Sequence, residues 1–110
     1  DYIFPSYREH AVALARGVDF RDLITIFRGT TTHGWDMKAH NFHTYTKVLA
    51  AQTLHAVGYA MGLNFDADIE AETGIRRTGQ GQATDPAEDT QKPAVAVYFG
   101  DGSSTEGDAH

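Results

Sequence analysis

The sequence predicts an α/β fold in which a parallel sheet is flanked by helices, and three observations carry that expectation. Residues 94–99, "AVAVYF", form a nearly continuous apolar run, the pattern of a strand buried on both faces of a parallel sheet. The run ends in Gly-Asp-Gly at residues 100–102 and continues as polar "SSTEGDAH", a strand, a turn and a helix start in the order of an open α/β sheet. Upstream, residues 7–28 and 48–61 carry helical spacing with capping and stop signals.

Ser6 followed three residues later by Glu9 fits a capping box, in which each side chain satisfies a backbone donor left free at a helix start. It predicts a helix from Tyr7 to Arg16, stopped by Gly17. Asp19 and Asp22 open a second, short helix through "FRDLITIF" that Gly29 ends. Residues 29–46 lack a clean period and are rich in Gly, Thr and His, so they read as a long loop, a kind of segment that tends to be functional.

From Val48 to Met61 a helix places Leu49, Gln52, Ala56, Ala60 and Met61 at helical spacing. Its Ala50, Ala51, Gly58 and Gly62 leave little bulk, so another backbone can approach; Gly58 alone costs about 1 kcal/mol relative to Ala. Residues 64–92 are polar, mostly acidic and punctuated by Gly and Pro, and are expected to form an exposed excursion. No internal repeat is present.

With 110 residues and 41% hydrophobic content, the chain can bury a core as one domain or a large piece of one. Nine basic against fifteen acidic residues leave a net charge of −6, which argues against non-specific nucleic-acid binding. A small anionic ligand then needs a local site. The absence of cysteine excludes a disulfide framework and a thiolate metal site and suits a reducing cytoplasm. No apolar stretch approaches the roughly 18 residues of a membrane span, so a soluble, cytoplasmic protein is expected. Both ends read as cut, which makes this one partial domain over residues 1–110 and the sheet incomplete.

The chemistry concentrates at Gly100-Asp101-Gly102. Glycines allow the backbone to bend close to a ligand, and the free N–H groups of a following helix attract an anion. Asp101 between them can hold a hard divalent cation, and Mg²⁺ commonly bridges a carboxylate and phosphates. A common turn is the competing reading, because Gly-Asp-Gly suits many turns. Tyr7 and Arg8, beside the capping box, could bring a two-pronged donor to the same anion, or Arg8 could be a surface residue. His33, His40 and His43 sit in the 29–46 loop, where "HNFH" could supply two nitrogens to zinc and Asp36 a carboxylate, but the lack of Cys and a helical His40–His43 spacing in a non-helical loop make a metal site the minor reading. His55 reads as a packed histidine. "TGQGQAT" at residues 78–84 follows no strand and lacks the Lys of a nucleotide loop, and Ser103-Ser104 lack the nucleophile-elbow spacing.

Taken together, "FPSYREHAVALARGVD", "LAAQTLHAVGYAMG" and "VYFGDGSSTEGDAH", in that order, resemble the α subunit of the thiamine diphosphate-dependent 2-oxo acid dehydrogenases. These are the decarboxylating components of the pyruvate and branched-chain 2-oxo acid complexes. The resemblance implies part of a thiamine diphosphate-binding fold, with thiamine diphosphate and Mg²⁺ as cofactors. It implies Asp101 as the metal ligand, Gly100, Gly102 and Ser103 lining the diphosphate, and Tyr7 and Arg8 contacting it from the other side. It further implies that Leu49 supports the bent cofactor at its aminopyrimidine and that Ser6 lies near the substrate.

The implied reaction is decarboxylation of a 2-oxo acid, in which the thiazolium takes up the electron pair, followed by acyl transfer to lipoamide of an acyltransferase core. The resemblance also implies that the activating Glu comes from a β subunit in an α2β2 heterotetramer, so no catalytic base is assigned in this chain. Residues 1–110 alone are expected to be inactive, since Asp101 supplies one of about six ligands that Mg²⁺ demands. Lys47 and Val48 stand where some relatives have Ser and Pro, and Ala51 replaces a Thr that helps bind potassium. An acetoin dehydrogenase α subunit is a close rival. A Mg²⁺-dependent phosphoryl-transfer enzyme is more remote, since no second acid follows Asp101 until Glu106. A binding module using the acidic segment is the third alternative.

Overall fold

A computed structural model describes residues 1–31, 33–75 and 93–110. Strand β1 (Tyr2–Phe4) pairs in parallel with β2 (Val95–Val97), with Tyr2 opposite Val95 and Phe4 opposite Val97. On its other side Ile3 forms a parallel bridge with Phe42: its N–H donates to the Asn41 carbonyl at 3.0 Å, and its carbonyl accepts from the His43 N–H at 2.8 Å. Three segments therefore run the same way with β1 in the middle. A three-residue strand is too short to show a period, and for that reason β1 is not legible in the sequence.

Helix α1 (His10–Ala15) begins later than the capping box predicts. Its N-cap is Glu9, without a side-chain cap bond, while Ser6 is buried and its carbonyl accepts the Thr46 N–H at 2.8 Å. Pro5 and this long-range bond hold Ser6 beside the sheet, which leaves Tyr7 and Arg8 on a turn outside the helix. Gly17, at φ +84°, follows the C-cap Arg16 as predicted.

Helix α2 (Phe20–Phe27) matches the expectation, with the Asp19 carboxylate accepting the Arg21 N–H at 2.8 Å and Gly29 at φ +68°. The segment read as one long loop contains a further turn of helix, α3 (Met37–His40), capped by Asp36 and ended by Asn41 in the left-handed region. Gly34 is required just before it. At φ +55°, an added Cβ would lie 2.7 Å from the Asp22 carbonyl and 2.9 Å from Ile26 Cγ1.

These short helices enclose the main core of Ala13, Val18, Leu23, Trp35, Phe42 and Tyr45. The Trp35 indole N–H donates to the Phe42 carbonyl at 2.9 Å, so the one Trp buries its polar atom with a partner. Helix α4 (Ala51–Thr73) closes the sheet. It stacks Tyr59 on Tyr2 at 4.6 Å between ring centroids and sets the same ring edge-on to Phe4 at 5.7 Å.

Several sequence expectations are corrected here. Helix α4 begins at Ala51 rather than Val48, which leaves Leu49 outside it, and continues twelve residues past Met61, so residues 64–73 belong to it; of the residues set at helical spacing Gln52 and Ala56 are buried, whereas Leu49 and Met61 are exposed. Residues 76–92, with the Gly79–Gly81 stretch, lie outside the described residues. Coverage alternates along β2, where Val95 and Val97 are half-buried and Ala96 is exposed, and the two-sided burial implied by "AVAVYF" is not seen. The helix expected after Gly-Asp-Gly is instead a pair of 3-10 turns, Asp101–Thr105 and Gly107–Ala109.

Candidate functional site at the carboxyl edge of the sheet

Parallel strands deliver their following turns to one edge, and that geometry assembles the site. From β1 the chain leaves through Ser6, Tyr7 and Arg8; from the Phe42 bridge it leaves toward Thr46–Leu49; from β2 it leaves into Gly100–Ser103. Two bonds hold these exits in line: the Tyr98 N–H donates to the Phe4 carbonyl at 2.9 Å, and the Thr46 N–H to the Ser6 carbonyl at 2.8 Å. Ser6–Arg8, Leu49 and Gly100–Ser103 thus follow the carboxyl ends of adjacent strands.

Tyr7 is half-buried against the main core, and the Arg8 guanidinium sits 5.4 Å from the centre of its ring. The ring attracts the cation, and the Arg8 side chain is exposed. Leu49 is 38% exposed, and its Cδ1 lies 3.9 Å from where a Gly102 side chain would begin. The leucine thus lies beside the glycine turn.

Gly100, Asp101 and Gly102 are exposed, while Ser103 is fully buried. The Ser103 Oγ has no hydrogen-bond partner among the described residues, so the hydroxyl keeps its full bonding capacity at the turn. The Asp101 carbonyl accepts the Ser104 hydroxyl at 2.6 Å, which braces the turn through the backbone and leaves the exposed carboxylate outward.

Two features at this edge have little or no sequence signal. Ala50 adopts φ +67°, a conformation that costs a non-glycine residue about 1 kcal/mol or more, and its carbonyl accepts both the N–H and the hydroxyl of Thr53. This kink turns the chain from Leu49 into α4, and nothing in "LAAQ" announces it. Gln52 Nε2 donates to the Tyr98 carbonyl at 2.8 Å, and its Oε1 is buried without a partner among the described residues. A polar residue on the apolar face of the helix was the available clue.

The histidines do not assemble a metal centre: among the described residues no group of three or more candidate ligands comes together. His40 Nδ1 is 3.1 Å from the Arg16 carbonyl, and Asp36 is spent capping α3. His43 lies 4.8 Å from the Phe4 ring and 6.2 Å from His55, and burial first, then the two neighbouring histidines His55 and His33, push its pKa down. His10 Nδ1 meets the Tyr45 hydroxyl at 2.7 Å, and burial, with Glu9 adding to it, pushes that phenol up to about 12.

The sheet thus sends a glycine-flanked acid, an arginine and an unpartnered hydroxyl out from the carboxyl ends of its strands, the edge at which open α/β sheets bind ligands. Comparison with known proteins narrows this reading. The model of the family described as "Dehydrogenase E1 component" matches residues 1–110, and the chain belongs to that family. It is 31% identical over 111 residues to the 3-methyl-2-oxobutanoate dehydrogenase subunit alpha of Mycobacterium tuberculosis, covering all of this chain and 24% of that protein. It is 32% identical over 120 residues to the mitochondrial 2-oxoisovalerate dehydrogenase subunit alpha 2 of Arabidopsis thaliana, covering all of this chain and 20% of that protein. The chain thus spans about a quarter or less of the length of these relatives. No solved structure matches it.

The residues at the edge fit thiamine diphosphate with Mg²⁺. Gly102 lies beside Leu49, Ser103 offers a hydroxyl without a partner among the described residues, and Asp101 is an exposed acid between two glycines.

Proposed function

We propose that the whole protein is the α subunit of a thiamine diphosphate-dependent 2-oxo acid dehydrogenase. Its substrate is pyruvate or a branched-chain 2-oxo acid, and the acyl group passes to lipoamide on an acyltransferase core. The observation that carries this reading is the convergence of Ser6–Arg8, Leu49 and Gly100–Ser103 at one sheet edge in a chain of this family. The names of the two relatives favour a branched-chain substrate.

Asp101 holds Mg²⁺ through a carboxylate oxygen, and Gly100 and Gly102 let the backbone approach the diphosphate. Ser103 gives its hydroxyl to the same group, and Arg8, beside Tyr7, closes on it from the neighbouring turn with charge-assisted bonds. Leu49, beside Gly102, supports the aminopyrimidine, and Ser6 lies toward the substrate. When bound, thiamine diphosphate supplies a thiazolium that takes up the electron pair left by carbon dioxide. The base that activates the aminopyrimidine belongs to a β subunit, with which this chain forms an α2β2 assembly.

Titration calorimetry on the full-length α chain assembled with its β subunit tests the reading. Asp101→Asn removes one charge from the Mg²⁺ shell at nearly constant shape and is expected to weaken metal-dependent binding of thiamine diphosphate. Equal affinity in wild type and variant would show that Asp101 has no metal role.

A further inference from the structure

Two residues after Arg8, at the first position of α1, His10 occupies a place that neither the cofactor reading nor the core explains. Its Nδ1 lies 2.7 Å from the hydroxyl of Tyr45, thirty-five residues away in sequence. Tyr45 is a fixed point. Its ring is buried in the main core and packs edge-on to Trp35 at 5.2 Å and to Phe42 at 6.2 Å. The imidazole is held from a second side by Phe27, edge-on at 5.6 Å.

Hydrogen-bond accounting then favours one tautomer. The phenol keeps its proton at neutral pH, because burial, assisted by Glu9, pushes it up to about 12. That proton has one acceptor among the described residues, His10 Nδ1. A neutral imidazole that accepts at Nδ1 carries its hydrogen on Nε2. If the ring is instead protonated, Nε2 carries a hydrogen as well. Nε2 has no partner among the described residues, and His10 is exposed.

The surroundings favour a negative ligand. Arg8 is exposed on the same turn, and the Lys47 ammonium lies 6.0 Å from the centre of the Phe27 ring on the other flank. Glu9, between Arg8 and His10 in sequence, has its Oε2 turned to the Arg8 backbone N–H at 3.2 Å.

We propose that His10 presents its Nε2–H as a third donor, beside Arg8, to an anionic oxygen bound at the carboxyl edge of the sheet, with Tyr45 as the positioning residue that fixes the imidazole. The inference rests on the cofactor reading above and extends it. An oxygen of the cofactor diphosphate and the carboxylate of the 2-oxo acid offer the same chemistry, so both are measured.

His10→Phe keeps an aromatic ring against Phe27 and deletes both nitrogens, whereas His10→Gln returns an N–H. In the assembled full-length enzyme, calorimetry gives Kd for thiamine diphosphate with Mg²⁺, and steady-state kinetics give KM and kcat for pyruvate and for 3-methyl-2-oxobutanoate. Loss of one hydrogen bond to a charged group predicts a rise of about tenfold in Kd or in KM for His10→Phe. A rise in Kd assigns the diphosphate, and a rise in KM alone assigns the carboxylate. His10→Gln should recover part of the loss.

Tyr45→Phe should weaken the same constant about threefold, and should add nothing in the His10→Phe background, since the two residues act as one unit. Unchanged Kd and KM in His10→Phe, in an enzyme where Asp101→Asn does weaken cofactor binding, would overturn the proposal while sparing the cofactor reading. No effect of Asp101→Asn removes that reading and the inference with it. Should His10→Phe fail to fold, Tyr45→Phe with unchanged constants overturns the proposal by itself.

Discussion

Gln52 donates from Nε2 to the backbone carbonyl of Tyr98 across 2.8 Å, and this bond ties the first turn of α4 to the chain entering the Asp101 turn. The two residues are forty-six apart in sequence, and Gln52 is fully buried. The bond therefore fixes the level of the helix against the edge where the candidate site lies.

Gln52→Ala removes the donor and leaves a buried carbonyl without its partner. A loss of about 1–3 kcal/mol in stability is expected, since an abandoned buried acceptor loses solvation as well as the bond. Urea denaturation of the protein measures it, and an unchanged midpoint would show that the Tyr98 carbonyl finds another donor.

Arg8→Lys keeps the charge and discards the planar fork. If Arg8 grips a diphosphate, the substitution should weaken thiamine diphosphate binding by about 1–3 kcal/mol with little effect on folding, because the side chain is exposed. Calorimetry on the assembled protein distinguishes this from a merely surface arginine, for which affinity would not move.

Gly34→Ala places a methyl group 2.7 Å from the Asp22 carbonyl at a left-handed φ of +55°. The dihedral alone costs about 1–2 kcal/mol, and the clash with the Asp22 carbonyl and the Ile26 side chain of α2 adds to it. A fall in Tm of several degrees is expected. No fall would mean that the 33–36 turn relaxes freely.

His43 has a pKa pushed below its ordinary 6.5, first by burial and then by His55 and His33. Below pH 6.5 the unfolded chain takes up the proton that the folded chain resists, so the contribution of this histidine is present above that value and is lost as pH falls toward the folded pKa. His43→Phe, which can keep a ring against Phe4, should flatten the fall in stability on acidification from pH 7 to pH 5. Denaturation midpoints that drop equally in wild type and variant over that range would place the acid sensitivity elsewhere.

The sequence by itself determined the local signals: Asp19 capping α2, Gly17 ending α1, the buried Gln52 and Ala56 on one helical face, and the glycine-flanked acid after an apolar strand. Each depends on a handful of neighbouring residues, and so do the three ordered segments that point to the family. Only the tertiary structure decided what depends on distant partners. Ser6 is drawn out of its capping box by Thr46 and Pro5. Tyr2–Phe4 becomes a strand because Ala94–Tyr98 and Asn41–His43 supply its hydrogen bonds on both sides. His10 receives its orientation from a tyrosine in another part of the chain, and Ala50 accepts a left-handed backbone because α4 must start where the sheet needs it. A periodic pattern is written in consecutive residues, whereas a backbone donor, a buried hydroxyl or an imidazole takes its role from whichever group folding brings within about 3 Å.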